Sequence, residues 1–201
     1  MSLFEQLSSI STSYEKAASP HTSQWKGSPF EWVLLLPSRS KGAYGEKFVQ
    51  ELFRTNGFDV KRPKSGSDHD RVINGHRIEI KMSTLWANNN QYKFQQIRDQ
   101  EYDYLICLGL SPNEAHAWLI PKEEVHVRRE GVSHQHGGKA GNDTLWLNFN
   151  AGQPPAWLSS YGGSLEEVVE MLKSKQMGTH PGRALTSRDK IITHSEGRAK
   201  K

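Results

Sequence analysis

Residues 67–81 read Ser67-Asp68-His69-Asp70-Arg71-Val72-Ile73-Asn74-Gly75-His76-Arg77-Ile78-Glu79-Ile80-Lys81. They predict two short strands joined by a two-residue turn at Asn74-Gly75. A type I′ turn needs positive φ at both central residues, and Asn-Gly is the pair that accepts this most readily. A tight hairpin is therefore the first element of the fold that the sequence defines.

The turn fixes which residues stand opposite each other on the two strands. The expected pairs are Ile73 with His76, Val72 with Arg77, Arg71 with Ile78, Asp70 with Glu79 and Asp68 with Lys81. Residues two apart share a face of a strand, so the charged and the apolar residues separate. Asp68, Asp70, Glu79 and Lys81 converge on one face, and Ile73, Ile78 and Ile80 point to the other.

The opposed carboxylates of Asp70 and Glu79 need a physical explanation. Side chains paired across strands lie about 4.5–5.5 Å apart at Cβ, and like charges there destabilise the sheet. A divalent metal is one explanation, because Mg²⁺ is commonly held by one or two carboxylates together with substrate phosphate. The alternative is a solvated hairpin face on which Arg77 and Lys81 neutralise the acids.

Composition narrows the class of protein. The chain has 201 residues, 35% of them hydrophobic, and a net charge of +4, which suits a polyanionic partner better than an acidic one. Its single cysteine, Cys107, excludes an intramolecular disulfide and a cysteine-rich zinc site. No run approaches the ~20 apolar residues of a membrane span and no signal-peptide core is visible, so we expect a cytoplasmic protein with no membrane partner.

Several helices and strands are expected around the hairpin. Three helices are predicted at 1–18, 42–56 and 93–100. Two more are predicted from capping boxes: a short helix that starts at Ser28-Pro29-Phe30-Glu31 and ends at Pro37, and a last helix that starts at Ser164. The predicted strands are 58–62, 102–110, 115–120 and 144–149. We expect an α/β (α+β) fold with a mixed central sheet flanked by helices. The expected divisions are an N-terminal helical segment at 1–41, a main domain at 42–175 and a basic, mobile tail at 176–201.

The hairpin resembles the signature of the PD-(D/E)XK nuclease superfamily, the fold of most type II restriction endonucleases. Glu79-Ile80-Lys81 matches its Glu-x-Lys half, and Asp70 matches the aspartate that precedes it. The order of elements over residues 42–122 also matches the αβββαβ core of that family. His69 stands where many members carry a proline, which is a departure from the pattern.

The resemblance implies roles for residues of the site. Asp70, Glu79 and the carbonyl of Ile80 would hold Mg²⁺, with Mn²⁺ as a substitute, and Asp68 is an alternative ligand. Lys81 would hold the attacking water or stabilise charge on the phosphorane, and otherwise forms a salt bridge to Asp68. Glu46, on the helix before the hairpin, corresponds to an outer ligand or water-holding acid; an exposed helix acid is the alternative.

Polar residues elsewhere are candidates for contact with DNA, although each also fits an ordinary surface loop or strand end. Asn and Gln can pair with adenine, and Arg and Lys bind phosphates. Alternate histidines at 134 and 136 make a poor tetrahedral metal site, so a cationic loop on DNA is the better functional interpretation. The candidates are Ser83, Asn88, Asn89, Asn90, Gln91, Gln95 with its neighbour Gln96, Arg128, Arg129, His134, His136 and Lys139.

These patterns together predict a Mg²⁺-dependent DNA endonuclease. A restriction-type enzyme acting as a homodimer on palindromic double-stranded DNA is the first expectation. A junction-resolving, repair or phage-type nuclease of the same fold is the alternative among enzymes. A non-catalytic DNA-binding module and a protein-interaction domain are the alternatives from other classes.

Overall fold

The fold is taken from a computed structural model of the chain. The structure describes residues 3–9, 11, 23–86, 88–135 and 144–177. Residues 3–9 are helical, which agrees with part of the predicted helix 1–18, and the side chains of Leu3, Phe4 and Leu7 are exposed there. The predicted tail beyond residue 177 and residues 136–143 of the loop predicted over 128–143 lie outside the described residues. The described part of that loop contains a short strand at Val132–His134, which the prediction missed.

The hairpin forms with the predicted register. Strands β2 (Arg71–Ile73) and β3 (His76–Thr84) are antiparallel, with Ile73 opposite His76 and Arg71 opposite Ile78. The turn residues Asn74 and Gly75 have φ of 50° and 87°, as a type I′ turn requires. Local turn chemistry alone therefore places Asp70 next to Glu79.

The hairpin belongs to a five-stranded mixed sheet with the order β1-β2-β3-β5-β6. Strand β1 is Val60–Lys61, β5 is Tyr104–Leu110 and β6 is Ala115–Pro121. Only β3 and β5 run parallel; the other neighbours are antiparallel. The predicted mixed sheet and its strands are confirmed, and β5 is buried on both faces as its apolar run indicated.

A second sheet replaces the predicted helix 93–100. Strand β4 (Gln91–Ile97) pairs with β8 (Leu145–Asn150), and β8 pairs with β7 (Val132–His134). The helix prediction was wrong because Phe94 and Ile97 are three residues apart, a helical spacing. A β-bulge between them turns both inward, so one strand buries both. The αβββαβ order is thus altered at the crossover from β3 to β5.

In the described part of the chain, three helices cover the main sheet on the face opposite to the second sheet: α1 (Glu31–Leu34), α2 (Ser38–Thr55) and α4 (Leu165–Met177). Helix α3 (Lys122–Val125) and a 3-10 helix (Ala156–Tyr161) instead pack on the side of the second sheet, where Val125 and Leu158 are buried. The capping box at Ser164 is confirmed by reciprocal hydrogen bonds with Glu167 of 3.0 and 3.1 Å. At the other predicted capping box, the Ser28 hydroxyl instead accepts a hydrogen bond from the amide of Phe30, two residues later. Ser28 therefore closes a turn that is one residue shorter than a capping box.

Two hydrophobic cores result. One joins α2 and α4 to the main sheet through residues such as Val49, Ile80 and Leu172. The other lies between the two sheets and contains Phe94 and Cys107. Since Ile78 and Ile80 face the helices, the alternate β3 residues Glu79 and Lys81 face the second sheet. The charged side of the hairpin thus lies at the edge of the inter-sheet core.

Candidate active site

Asp70 and Glu79 meet at the end of the hairpin. The Asp70 amide donates to the Ile78 carbonyl (3.0 Å), and Oδ2 of Asp70 accepts from the Ile80 amide (2.8 Å). The Glu79 side chain is 7% exposed. Burial raises the pKa of Glu79, and the charge of Asp70 and a hydrogen bond between the two carboxyls raise it further, against the opposing effect of Lys81. Two acidic groups therefore share one poorly hydrated position.

Lys81 neutralises this pair from the same strand. Its Nζ lies 2.7 Å from Oε1 of Glu79 and its side chain is 22% exposed. The expected salt bridge to Asp68 is absent, because strand pairing begins only at Arg71 and Asp68 lies beyond the ladder. The exposed Asp68 carboxylate accepts instead from the Gln100 amide at 3.4 Å.

Glu46, on helix α2, is linked to the hairpin by a buried arginine. Arg71 Nη1 lies 3.1 Å from Oε2 of Glu46, its Nε donates to Oε1 of Gln50 (2.9 Å), and Nη1 also donates to the Asp70 carbonyl (2.5 Å). The pKa of Glu46 is raised by burial and then by the charge of Asp70, while Arg71 opposes the shift. Arg71 thus connects the helix acid to the hairpin acid.

Sequence reasoning missed Arg71, although a signal was present. Arg71 is two residues from Ile73 and so shares its inward face. A buried arginine requires partners, and the helix before the hairpin supplies two. The alternation that predicted the apolar face could therefore have predicted this ion pair.

An open cleft of about 890 Å³ lies over these residues. Glu46, Asp70 and Lys81 line it. Three further cationic residues also line it: Arg39 and Lys41 from helix α2, and Lys93 from β4. Arg39 and Lys41 were also missed, because the helix was predicted to begin at residue 42 and instead begins at Ser38.

The bulge in β4 brings glutamines to the cleft. Gln96 has φ of 56°, a left-handed conformation that non-glycine residues seldom adopt. Gln95 and Gln96 both line the cleft, and Gln96 also lines a smaller cavity of about 230 Å³ that contains Asp68, Asp70, Glu79 and Lys81. The bulge therefore turns two polar side chains toward the acids, as bulges near functional sites often do.

The next candidates for contact with DNA are Ser83 and the asparagines before β4. The Ser83 hydroxyl is buried, accepts from the Lys93 amide (2.9 Å) and donates to the Thr84 carbonyl, so it fits the strand-end alternative. Asn88 lines the cleft. Asn89 donates to the side chain of Gln91 (2.8 Å), and Asn90 takes the positive φ of 52° that the loop requires.

The basic residues of the β6–β8 region lie apart from the cleft. Arg129 pairs with Glu124 and lies over the Trp157 ring at 5.2 Å. Arg128, Arg129 and His134 do not line the cleft. His136 and Lys139 lie outside the described residues.

The donor set at the hairpin fits a hard divalent cation. No group of three or more His, Cys, Asp or Glu residues that could hold a metal occurs in the part of the chain that the structure describes. Mg²⁺, however, uses one or two protein carboxylates and completes its shell with water and phosphate. Asp70 and Glu79 supply two carboxylates that line the smaller cavity, and Asp70 also lines the open cleft, which is the kind of site that Mg²⁺ accepts.

Comparisons with known proteins give distant structural likenesses. No family model and no curated protein matches the chain. Among solved structures, the chain is similar to a bacterial homing endonuclease, I-Ssp6803I, with a TM-score of 0.43 and 12% identity over 70% of this chain and 97% of that chain. This likeness is too distant to carry an argument, so function is argued from the site itself.

No helix in the described ranges has both the length and the apolar character that a membrane span needs.

Proposed function

We propose that this protein is a metal-dependent DNA endonuclease that hydrolyses phosphodiester bonds. The observation that carries the proposal is the grouping of the buried Glu79 carboxyl with Asp70 around the smaller cavity, with Lys81 Nζ 2.7 Å from Glu79 and with Asp70 and Lys81 also lining the larger cleft. A solvated hairpin face does not explain a glutamate that is 7% exposed.

Asp70 and Glu79 would hold Mg²⁺, or Mn²⁺ in its place, and the Ile80 carbonyl is a third candidate donor. When bound, the ion polarises the scissile phosphate and lowers the pKa of a water. Lys81 supplies a positive charge beside that position, where it stabilises the charge that develops on the phosphate. Glu46, held by Arg71, would orient water at the edge of the site.

The cleft walls suit the backbone of a nucleic acid. Arg39 and Lys41 from helix α2 and Lys93 from β4 add positive charge to the cleft that Asp70 lines. Such contacts give affinity for phosphates without sequence information. The net charge of +4 agrees with this partner.

The narrower proposal is a type II restriction-type enzyme that acts as a homodimer on double-stranded DNA in the cytoplasm. A single compact domain would need a second copy to cut both strands of a palindrome. A repair or junction nuclease is the second candidate. It is favoured by Trp86, which lines the cleft and remains 50% exposed.

The test is incubation of the purified chain with supercoiled and linear DNA, with Mg²⁺ or with EDTA. We expect Mg²⁺-dependent cleavage that Asp70→Asn and Glu79→Gln each reduce by at least about a hundredfold. Asp68→Asn, which alters the exposed neighbour, should change the rate less than about threefold. Undiminished cleavage by Glu79→Gln would refute the site, and tight binding without cleavage would favour a non-catalytic DNA-binding module.

A further inference from the structure

Two tryptophans and a lysine form an open aromatic surface next to the acids. Nζ of Lys93 lies 4.8 Å from the centroid of the Trp86 ring and 5.3 Å from that of Trp146. Trp86 follows β3, and its amide donates to the Gln91 carbonyl (2.9 Å), which closes the loop that leads into β4. This hydrogen bond holds the backbone of Trp86 in place, and half of the surface of Trp86 remains exposed to solvent.

This surface belongs to the outward face of the second sheet. Tyr92 and Phe94 of β4 are fully buried against the main sheet, so Lys93 between them points outward. Lys93 stands opposite Asn148 of β8, and Trp146 shares the face of Asn148 two residues away. Position 146 thus places a large aromatic side chain on a polar face, where it contributes little to the inter-sheet core.

The surface is continuous with the candidate active site. Trp86 and Lys93 line the same cleft as Asp70 and Lys81. A strand whose phosphate lies at the acids would therefore have a neighbouring nucleotide within reach of the Trp86 ring. Lys93 adds a positive charge that complements the phosphate of that nucleotide.

We propose that Trp86, supported by Lys93 and Trp146, binds one unpaired base of a DNA strand, and that the substrate therefore carries a single-stranded segment beside the scissile phosphate. The bases of an intact duplex are covered on both faces by their neighbours and expose only their edges. An indole can stack only on a base whose face is free, as in a gap, a flap or a frayed end. This inference rests on the proposed nuclease function, selects the repair or junction nuclease over the restriction-type enzyme, and names its substrate class.

The test measures binding by the full chain in EDTA, so that cleavage plays no part. Fluorescence anisotropy compares a labelled duplex with the same duplex carrying a single-stranded gap. We expect the gapped DNA to bind about tenfold or more tightly, and Trp86→Ala to remove most of this preference while leaving duplex affinity nearly unchanged. Trp86→Phe keeps an aromatic face and should retain much of the preference.

Trp32→Ala is the matched control. Trp32 is 41% exposed but contacts Tyr44 on the helix layer and does not line the cleft, so its loss should leave the preference for gapped DNA intact. Equal affinity of the wild type for both DNAs, or an equal loss on both with Trp86→Ala, would overturn the inference. Gap preference that depends on Trp86 without any Mg²⁺-dependent cleavage would support the base-binding site and refute the nuclease proposal.

Discussion

Nζ of Lys81 lies 2.7 Å from Oε1 of Glu79, two residues earlier on the same strand. Both side chains therefore point to the same face of β3. The ammonium group of Lys81 contacts a carboxylate oxygen of Glu79 that a metal ion would need as a ligand. A cation entering between Asp70 and Glu79 must compete with this ammonium group. In the proposed metal site Lys81 would thus have two opposite effects, because it would weaken metal binding and supply charge for catalysis.

This competition predicts that Lys81→Met changes metal affinity and turnover in opposite directions. The half-saturating Mg²⁺ concentration for cleavage should fall, because Glu79 loses its competing cation. The maximal rate should fall by about a hundredfold or more, because charge on the phosphate loses its stabilising partner. Initial rates of plasmid cleavage across a Mg²⁺ titration measure both quantities.

The control for this experiment is Lys173→Met, which removes a lysine paired with Glu170 on the exposed face of α4. It should leave both quantities at their wild-type values. A rise in the half-saturating Mg²⁺ concentration with Lys81→Met would contradict the competition between lysine and metal.

The hairpin was predictable because its signals are local. Asn74-Gly75 defines the turn, and alternation then fixes every pair down to Arg71, which is next to Asp70. Strand β4 was not predictable, because its apolar residues have a helical spacing. The bulged strand is stable only because it pairs with β8, which lies about fifty residues further along the chain. The surface that contains Trp86 and Trp146 depends on that pairing, so the sequence alone could not predict it.

Arg71 should be important for stability as well as for the site. Its side chain is 7% exposed and bonds Glu46, Gln50 and the Asp70 carbonyl. Arg71→Met leaves the half-buried carboxylate of Glu46 and the buried amide oxygen of Gln50 without their donor. The free energy of unfolding should therefore fall by about 3 kcal/mol. Urea denaturation monitored by circular dichroism measures this loss.

Arg54→Met is the comparison for that variant, because Arg54 pairs with Glu51 on the exposed side of helix α2, the helix that carries Glu46. It should cost about 0.5 kcal/mol or less. Adding Glu46→Gln to Arg71→Met should recover part of the lost stability by removing the unpaired charge. Equal losses for Arg71→Met and Arg54→Met would show that the buried network contributes no more than a surface pair.

Gly45 allows helix α2 to pack closely against β3. A Cβ at position 45 would lie 2.6 Å from Cβ of Met82, so alanine must push the helix away from the strand. We expect Gly45→Ala to destabilise the protein by about 1–3 kcal/mol and to slow cleavage, because Glu46 moves with the helix. Gly42→Ala, in the same helix with nothing within 4 Å of the added Cβ, should instead stabilise by about 0.5–1 kcal/mol.

Thermal unfolding of these two glycine variants gives the comparison. A Gly45→Ala protein as stable as Gly42→Ala would mean that the helix-to-strand spacing is not set at this position.

Asp103 should make stability depend on pH in the acid range. It lies before β5, and its carboxylate accepts from the Arg77 amide (2.7 Å) and from Nη2 of Arg77 (2.7 Å). Burial alone would raise the pKa of Asp103, but the hydrogen bonds and charge of Arg77 outweigh it and hold the pKa below its usual value. The folded state therefore binds this proton less readily than the unfolded state does.

A lowered pKa in the folded state stabilises the protein above the unfolded-state pKa of about 3.9, and that stability is lost as pH falls through the folded-state pKa. Asp103→Asn should therefore be less stable than the wild type at neutral pH, and the difference should shrink as the pH falls below the unfolded-state pKa of about 3.9. Urea unfolding of both proteins across this range measures it. Glu101→Gln, which removes the exposed second partner of Arg77, should cost less at neutral pH. A difference between Asp103→Asn and the wild type that stays constant with pH would show that Arg77 does not hold the Asp103 carboxylate in its charged form.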